Sequence, residues 1–297
     1  MSSHVVLQDG CIVADQCAAM DVPWWSFSKT VIAAAALALV DEGRLALDQP
    51  LGLEGYTLRQ LLQHRAGLRD YGAVAAYHEA VARHDDAWTP AELLERARGS
   101  ELAFQPGQGW AYSNIGYLLV RRQIEWAAGA PLGEALARLV FEPLGIRGAR
   151  VAMRRDDLAN VEMGTAQGYD PQWVYHGLVV GPLRDAAFLL LGLMSGALLP
   201  RELRSAMLDA HPLPGEIVAG RPWMSPGYGL GLMIGGTIDG NRLAGHTGGG
   251  PGSVIAVYHA LSSRGARTAA AFSPGSDPGV VEGRSAALLR DEAGLNS

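Results

Sequence analysis

The sequence predicts an α/β protein (α+β in the arrangement of its elements) whose sheet is built from both chain termini, with a mostly helical unit inserted between them. Three observations predict it. Apolar residues follow a strand period at the start of the chain and again from Tyr228 onward. The middle third follows a helical period. Between these lies the run Val31 to Val40, ten residues that are apolar on every side. Such a run marks a buried helix, and it is too short to cross a bilayer. The α/β unit is expected to comprise residues 1–56 and 175–297, and the helical unit residues 57–174.

Taken in order, Val5-Val6-Leu7, the turn Gln8-Asp9-Gly10 and Cys11 to Val13 read as a hairpin. The central helix runs from about Ser26 to Glu42, with Gly43 as its stop. Thr57-Leu58-Arg59-Gln60 fits a capping box opening a helix Leu58 to Gln63, halted by Gly67. Thr89-Pro90-Ala91-Glu92 reads as a second box with Pro at the first helical position, its helix ending near Arg98. Helices Ile115 to Ala127 and Leu132 to Val140 are separated by Gly129 and Pro131. Residues Val151 to Tyr175 read as loop, His176 to Val180 as a return strand, and Arg184 to Met194 as an apolar helix. Strands follow at Tyr228 to Ile234, Arg242 to His246, Val254 to Ala260 and Thr268 to Phe272, and Val280 to Arg290 closes the chain as a helix.

Composition excludes several functions. With 297 residues, 48% of them hydrophobic, the chain can bury a large core. A net charge of −6 and the lack of a basic run leave no nucleic-acid footprint. Cys11 and Cys17 lack metal-ligand spacing and read as free thiols, with a local disulfide left open. The start Met1-Ser2-Ser3-His4 lacks the charged and apolar regions of a signal peptide, so a cytoplasmic protein is expected, periplasmic if a leader has been trimmed away. No Gly-x-Ser-x-Gly elbow, Walker loop or His-Glu-x-x-His occurs. His78-Glu79 and His84 read as a solvated helix face, Trp24 and Trp25 as packing residues. The expected partner is a small molecule, not a membrane.

The chemistry centres on Ser26-Phe27-Ser28-Lys29. Lys29 is the only lysine in the chain; every other strong base is arginine. A guanidinium cannot give up its proton in a protein, whereas an amine can. Three apart on one helix, Ser26 and Lys29 can meet. Burial and the positive end of the helix both disfavour the ammonium, so Lys29 is placed to take a proton from Ser26. Taken alone, the pair also fits an N-cap followed by a surface lysine. Two glycine-bearing segments accompany it. Phe104 to Asn114 opens the helix from Ile115, where Asn114 would serve as N-cap and Tyr112 as a packed aromatic. Gly245 to Gly252 follows a strand pattern, and its glycines would let a substrate approach the backbone.

With these motifs in this order, the chain resembles the serine β-lactamase and penicillin-binding-protein superfamily, nearest to the class C β-lactamase-like esterases and D-peptidases. The resemblance rests on Ser26-Phe27-Ser28-Lys29, on Leu61-Leu62-Gln63-His64-Arg65-Ala66-Gly67-Leu68, on Tyr112-Ser113-Asn114, on Tyr228-Gly229-Leu230-Gly231-Leu232 and on His246-Thr247-Gly248. It implies a β-lactamase/transpeptidase-like fold, an antiparallel sheet flanked by helices. It further implies Ser26 as nucleophile, Lys29 as proton acceptor, Tyr112 sharing base and acid work, and Asn114 holding a substrate carbonyl or the lysine. His246 and Thr247 would border the acyl group, with Gly248 beside them. The backbone N–H groups of Ser26 and Gly249 would form the oxyanion hole, and no metal or cofactor is required. For Tyr112 to act as a base, Lys29 would have to favour its phenolate.

Three departures bear on specificity. His246 stands where the family has the lysine of Lys-Thr-Gly, removing a permanent charge that would face a substrate carboxylate. Lysine depletion across the chain is the bland explanation. The segment before Ser26 is short, and Ala66 replaces a common serine. His64, in a helix-ending segment, reads as structural. The expected activity is hydrolysis of a carboxylic ester, an amide or a D-amino-acid peptide through an ester on Ser26. The alternatives are a true β-lactamase and a non-catalytic penicillin-recognising or scaffold protein.

Overall fold

A computed structural model of the chain describes residues 2–52, 54–215, 218–261 and 265–290; Met1, at the start of the terminus read above, lies outside them. The chain opens with β1 (Ser3–Gln8), β2 (Cys11–Gln16) and β3 (Asp21–Pro23), then the 3-10 turn Trp25–Phe27 and α1 (Ser28–Asp41). Next come β4 (Pro50–Leu51), β5 (Tyr56–Thr57), α2 (Leu58–Leu62), α3 (Ala75–Ala82), α4 (Pro90–Arg96), α5 (Asn114–Ala128) and α6 (Leu132–Leu136), which continues as a π turn. The last part holds β6 (Arg150–Ala152), β7 (Leu178–Pro182), α7 (Leu183–Ser195), α8 (Arg201–Leu208), β8 (His211–Pro212), β9 (Trp223–Tyr228), β10 (Met233–Thr237), β11 (Arg242–Gly250), β12 (Ser253–Ala260), β13 (Arg267–Pro274) and α9 (Pro278–Leu288).

The main sheet has eight strands in the order β2-β1-β13-β12-β11-β10-β9-β8, every pairing antiparallel. Both termini contribute to it, as the alternation at the two ends predicts. Because successive side chains point to opposite faces, β12 supplies both cores: Ile255 and Val257 pack on the α1 and α7 side, and Val254, Ala256 and Tyr258 on the α9 side. Such double burial explains why these strands are rich in apolar residues on both faces.

Helix α1 is buried along most of its length, including Lys29. It ends in a Schellman arrangement: Gly43 at φ +70° donates to Val40 O, and Arg44 donates to Leu39 O. Among the described residues no helix is long and apolar enough to cross a membrane.

Several details differ from expectation. The predicted strand Tyr228 to Ile234 is broken into β9 and β10, because Gly231 at φ +73° turns the chain against α1. A Cβ there would lie 2.4 Å from Ala33 Cβ, and the Gly231 carbonyl accepts from Thr30 Oγ1 at 2.7 Å. The return strand β7 pairs with β3 and β6 in a small separate sheet, so part of the expected loop is strand. The Thr57–Gln60 capping box forms in full, but only half of the second one does: Thr89 accepts from the Glu92 N–H, while the Glu92 carboxylate binds Arg96 one turn on.

Candidate active site

Ser26 lies on the 3-10 turn just before α1, and the residue preceding it is strained. Trp25 has φ +41°, a conformation costing a non-glycine residue about 1–3 kcal/mol. Its indole holds it there, donating to Ser253 Oγ at 3.0 Å and packing edge-on to Tyr169. Trp24 is fully buried, as a packing residue should be.

Strand β11 brings the glycine segment to this turn. Its pairing to β10 ends at Gly245, whereas pairing to β12 continues to Gly250. The stretch His246–Gly250 therefore has one open edge, and the turn carrying Ser26 docks beside it. A Cβ on Gly248 would sit 2.7 Å from the Ser26 nitrogen, and one on Gly250 would sit 2.5 Å from the Trp25 ring. Only glycine permits that approach.

Lys29 is fully buried in the first turn of α1, with Nζ 3.2 Å from Ser26 Oγ. Burial pushes its pKa down to about 7, opposed by the negative charge of Asp70. The rings of Tyr112 and Tyr117 lie 5.0 and 5.6 Å from Nζ.

Tyr112 donates its hydroxyl hydrogen to Ser26 Oγ at 3.0 Å. Burial raises its pKa, with the hydrogen bond to Ser26 opposing and the charge of Asp70 adding to the rise. Burial thus favours the neutral phenol and disfavours the phenolate that a base role would need. The loop presenting it is fixed from below by His64, which sits at φ +58° and accepts from the Ser113 N–H at Nδ1 (3.1 Å). The imidazole lies 4.2 Å from the Tyr112 ring, so His64 is a structural support.

Ser113, not Asn114, caps α5, accepting from the Gly116 N–H. Asn114 gives its backbone N–H to Asp70 Oδ1 (2.8 Å) and its amide to Asp70 Oδ2 (3.3 Å); no bond to Lys29 is found among the described residues.

The period of β11 separates His246 from Thr247. His246 faces α1, 1% exposed, with Nδ1 2.6 Å from Thr247 O and Nε2 2.8 Å from the Tyr228 hydroxyl. A carbonyl only accepts, so Nδ1 carries the hydrogen and Nε2 accepts from Tyr228. Burial and the charge of Lys29 push the His246 pKa down to about 3, leaving it uncharged. Thr247 faces α9, where its hydroxyl donates to Glu282 Oε1 (2.5 Å) and lies 2.7 Å from the Tyr258 hydroxyl. Glu282 also accepts from Arg221 and from Trp223 Nε1.

A cavity of about 340 Å³ opens beside Tyr112, bounded by Trp110, Tyr228, Met233, His246, Thr247 and Gly249. The structure thus groups Ser26 with Lys29, Tyr112 and Gly248, and lines the cavity beside Tyr112 with His246 and Gly249. It turns the Thr247 hydroxyl elsewhere and engages Asn114 with Asp70. Two neighbours carry no signal in the sequence: Asp70, and His176, whose Nε2 lies 3.3 Å from Lys29 Nζ. Cys11 and Cys17 are free and exposed. Among the described residues no group of three or more His, Cys, Asp or Glu could hold a metal ion.

Comparison with known proteins places the chain in a family. The chain is 28% identical over 221 residues to the D-aminopeptidase of Cereibacter sphaeroides, covering 70% of this chain and 40% of that protein. It is 33% identical over 144 residues to Esterase EstB of Burkholderia gladioli, covering 41% of this chain and 36% of the relative. The chain thus spans less than half the length of these relatives. The D-stereospecific amidohydrolase from Streptomyces sp. superposes with a TM-score of 0.76 at 24% identity, over 95% of this chain and 92% of that one, and so shares the fold. The Beta-lactamase family model matches residues 22–292, nearly the whole chain, and the protein belongs to that family.

Proposed function

We propose that the protein is a serine hydrolase that forms an ester on Ser26 from a carboxylic ester, an amide or a D-amino-acid peptide. The observation carrying this reading is that Ser26 Oγ has an amine at 3.2 Å and a phenol at 3.0 Å, the amine poised near neutrality by burial. In the attacking state the neutral Lys29 amine takes the Ser26 proton as Oγ bonds to the substrate carbonyl carbon. The carbonyl electron pair moves onto oxygen, which the N–H groups of Ser26 and Gly249 would receive; one such donor is worth roughly a hundredfold in rate or more. Tyr112, a neutral phenol, gives its proton to the leaving group as the carbon–heteroatom bond breaks, and regains one from Lys29. Water then attacks the ester by the reverse proton path.

Asn114, seated on Asp70, would present its amide edge to a substrate carbonyl, and His246 and Thr247 would line the acyl or leaving group. Ser26, Lys29 and His246 come from the proposed α/β unit and Tyr112 and Asn114 from the proposed helical one, so the cleft would lie between the two. The cavity favours uncharged groups. His246 is neutral, and the Arg221 guanidinium at its edge is already paired with Glu282. Esters and amides are thereby favoured over a β-lactam, whose carboxylate would find no uncompensated permanent cation there among the described residues.

The test is turnover of a p-nitrophenyl ester, nitrocefin and D-alanine amide, each beside Ser26→Ala. Ester or amide turnover abolished in the variant is expected. Turnover equal in the two proteins would remove Ser26 from the chemistry, and acylation without turnover would mark a penicillin-recognising protein.

A further inference from the structure

The reaction proposed above needs the Lys29 lone pair to point at Ser26, and something must set that direction. A primary amine rotates about its terminal bond, and burial alone does not orient it. Among the described residues Nζ has two hydrogen-bond partners, Ser26 Oγ and His176 Nε2. Asp70, whose charge reaches Lys29, has its two oxygens bonded to Asn114 instead.

His176 is built for one contact. It is 3% exposed and lies two residues before the first residue of β7. Its neighbour Gly177, at φ +103°, approaches Leu132 so closely that a Cβ would lie 2.4 Å from Leu132 Cδ2, which fixes the backbone. Arg121 of α5 donates to the carbonyl of Tyr175 at 3.2 Å, next along the chain. When Lys29 is protonated Nζ can only donate, so Nε2 accepts and the ring hydrogen sits on Nδ1; the neutral amine keeps two N–H donors, one of which the same tautomer can still accept. That Nδ1 is buried without a partner among the described residues, an omission that folded proteins seldom leave. A buried imidazole satisfied at the lysine and at nothing else is a mark of function more than of packing.

We propose that His176 is a positioning residue for the base, its Nε2 accepting one N–H of Lys29 so that the lone pair of the neutral amine is left facing the Ser26 hydroxyl. This role rests on the Ser26–Lys29 reading above. A neutral acceptor suits it better than a carboxylate, because it orients the amine without holding the proton on it. The groups facing Lys29 from its surroundings are Asp70, the Tyr112 ring of the loop before α5, the Tyr117 ring of α5, His64 after α2, and His246 of β11. All three histidines are kept from protonation by burial first and by the charge of Lys29 second. Asp70 is therefore the one carboxylate acting on the amine.

Two polar substitutions separate positioning from packing. In His176→Gln the side-chain carbonyl reaches about as far as Nε2, whereas in His176→Asn it falls short. Because the chain has a single lysine, protein grown on ¹³C-lysine gives one Cε signal, which reports the titration of Lys29 directly. Expected for His176→Asn is a titration midpoint below that of the parent, since the ammonium has lost an acceptor. Its Ser26 acylation, followed by mass spectrometry with a p-nitrophenyl ester, should slow about tenfold or more with little change in KM. His176→Gln should keep both near the parent values. A more available base joined to a slower reaction is the signature of lost orientation. The proposal is overturned if the midpoint does not move, or if both variants slow equally. A midpoint that shifts in His176→Asn while the parent is never acylated at Ser26 overturns the nucleophile reading and this role with it, while leaving the contact intact.

Discussion

Two buried polar clusters flank β11, and they differ in how their charges are matched. On the α9 face Glu282, 1% exposed, accepts from Arg221, Trp223 and Thr247, so the carboxylate is fully occupied and paired with a guanidinium. On the α1 face Lys29 is just as deeply buried, yet its partners are a serine hydroxyl and a neutral imidazole. A buried ion that is paired keeps its charge and becomes structure. One that is not paired shifts its pKa and becomes available for proton transfer. Two strand positions, one residue apart, thus border a cluster whose ion is paired and one whose amine is not.

The contrast is broken most severely at the lysine. Lys29→Met should lower the acylation rate by about a thousandfold or more, because nucleophile and base act as a unit. It should also flatten the pH dependence of stability. The folded pKa of about 7 lies below the ordinary 10.5, so the unfolded chain binds the extra proton between these values. Parent stability therefore rises with pH across that window. Urea melts of the two proteins from pH 7 to 10 check the slope. In the parent, kcat/KM should fall as pH drops through about 7, where Lys29 gains its proton. A limb near pH 4 would transfer the base role to another group.

On the paired side, Glu282→Gln should destabilise the fold by about 3 kcal/mol, by leaving Arg221 unmatched, and should leave the pH limb of activity in place. Denaturant midpoints and a pH profile test both halves. A shift of the limb would show that the two clusters communicate. Gly248→Ala adds a Cβ where 2.7 Å separates it from the Ser26 nitrogen, so activity should fall about tenfold or more with the fold retained by circular dichroism. The smallest effect belongs to Ser113→Ala, which removes the α5 cap and should cost about 1 kcal/mol in thermal stability.

Much of the fold is legible in the sequence wherever one residue pattern has one structural meaning. The uniformly apolar, alanine- and leucine-rich stretch after Lys29 suits a buried helix, and the short apolar runs of β1, β12 and β13, bounded by turn residues, suit a sheet buried on both faces. Legibility fails where two structures share a pattern. Tyr228 to Ile234 reads as one strand, but Gly231 converts it into a turn packed on α1. The helix Arg201–Leu208 is not legible in the sequence, having a single buried residue, Met207, to betray its period. At the site, Ser26, Lys29 and Tyr112 were visible as motifs. His176 was not, because its partner lies 147 residues away and no spacing encodes that contact.

What the chain determines by itself is local: a hydroxyl and a sole amine one turn apart at the head of an apolar helix, and a glycine strand narrow enough to lie against it. What the tertiary structure decides is the chemical state of those groups. Desolvation of Lys29, the neutrality of His246 and Tyr112, and the turning of Thr247 toward Glu282 all depend on atoms distant in sequence. The reason is that a pKa measures the difference in solvation and field between two charge states, and both are set by whichever groups the fold brings close.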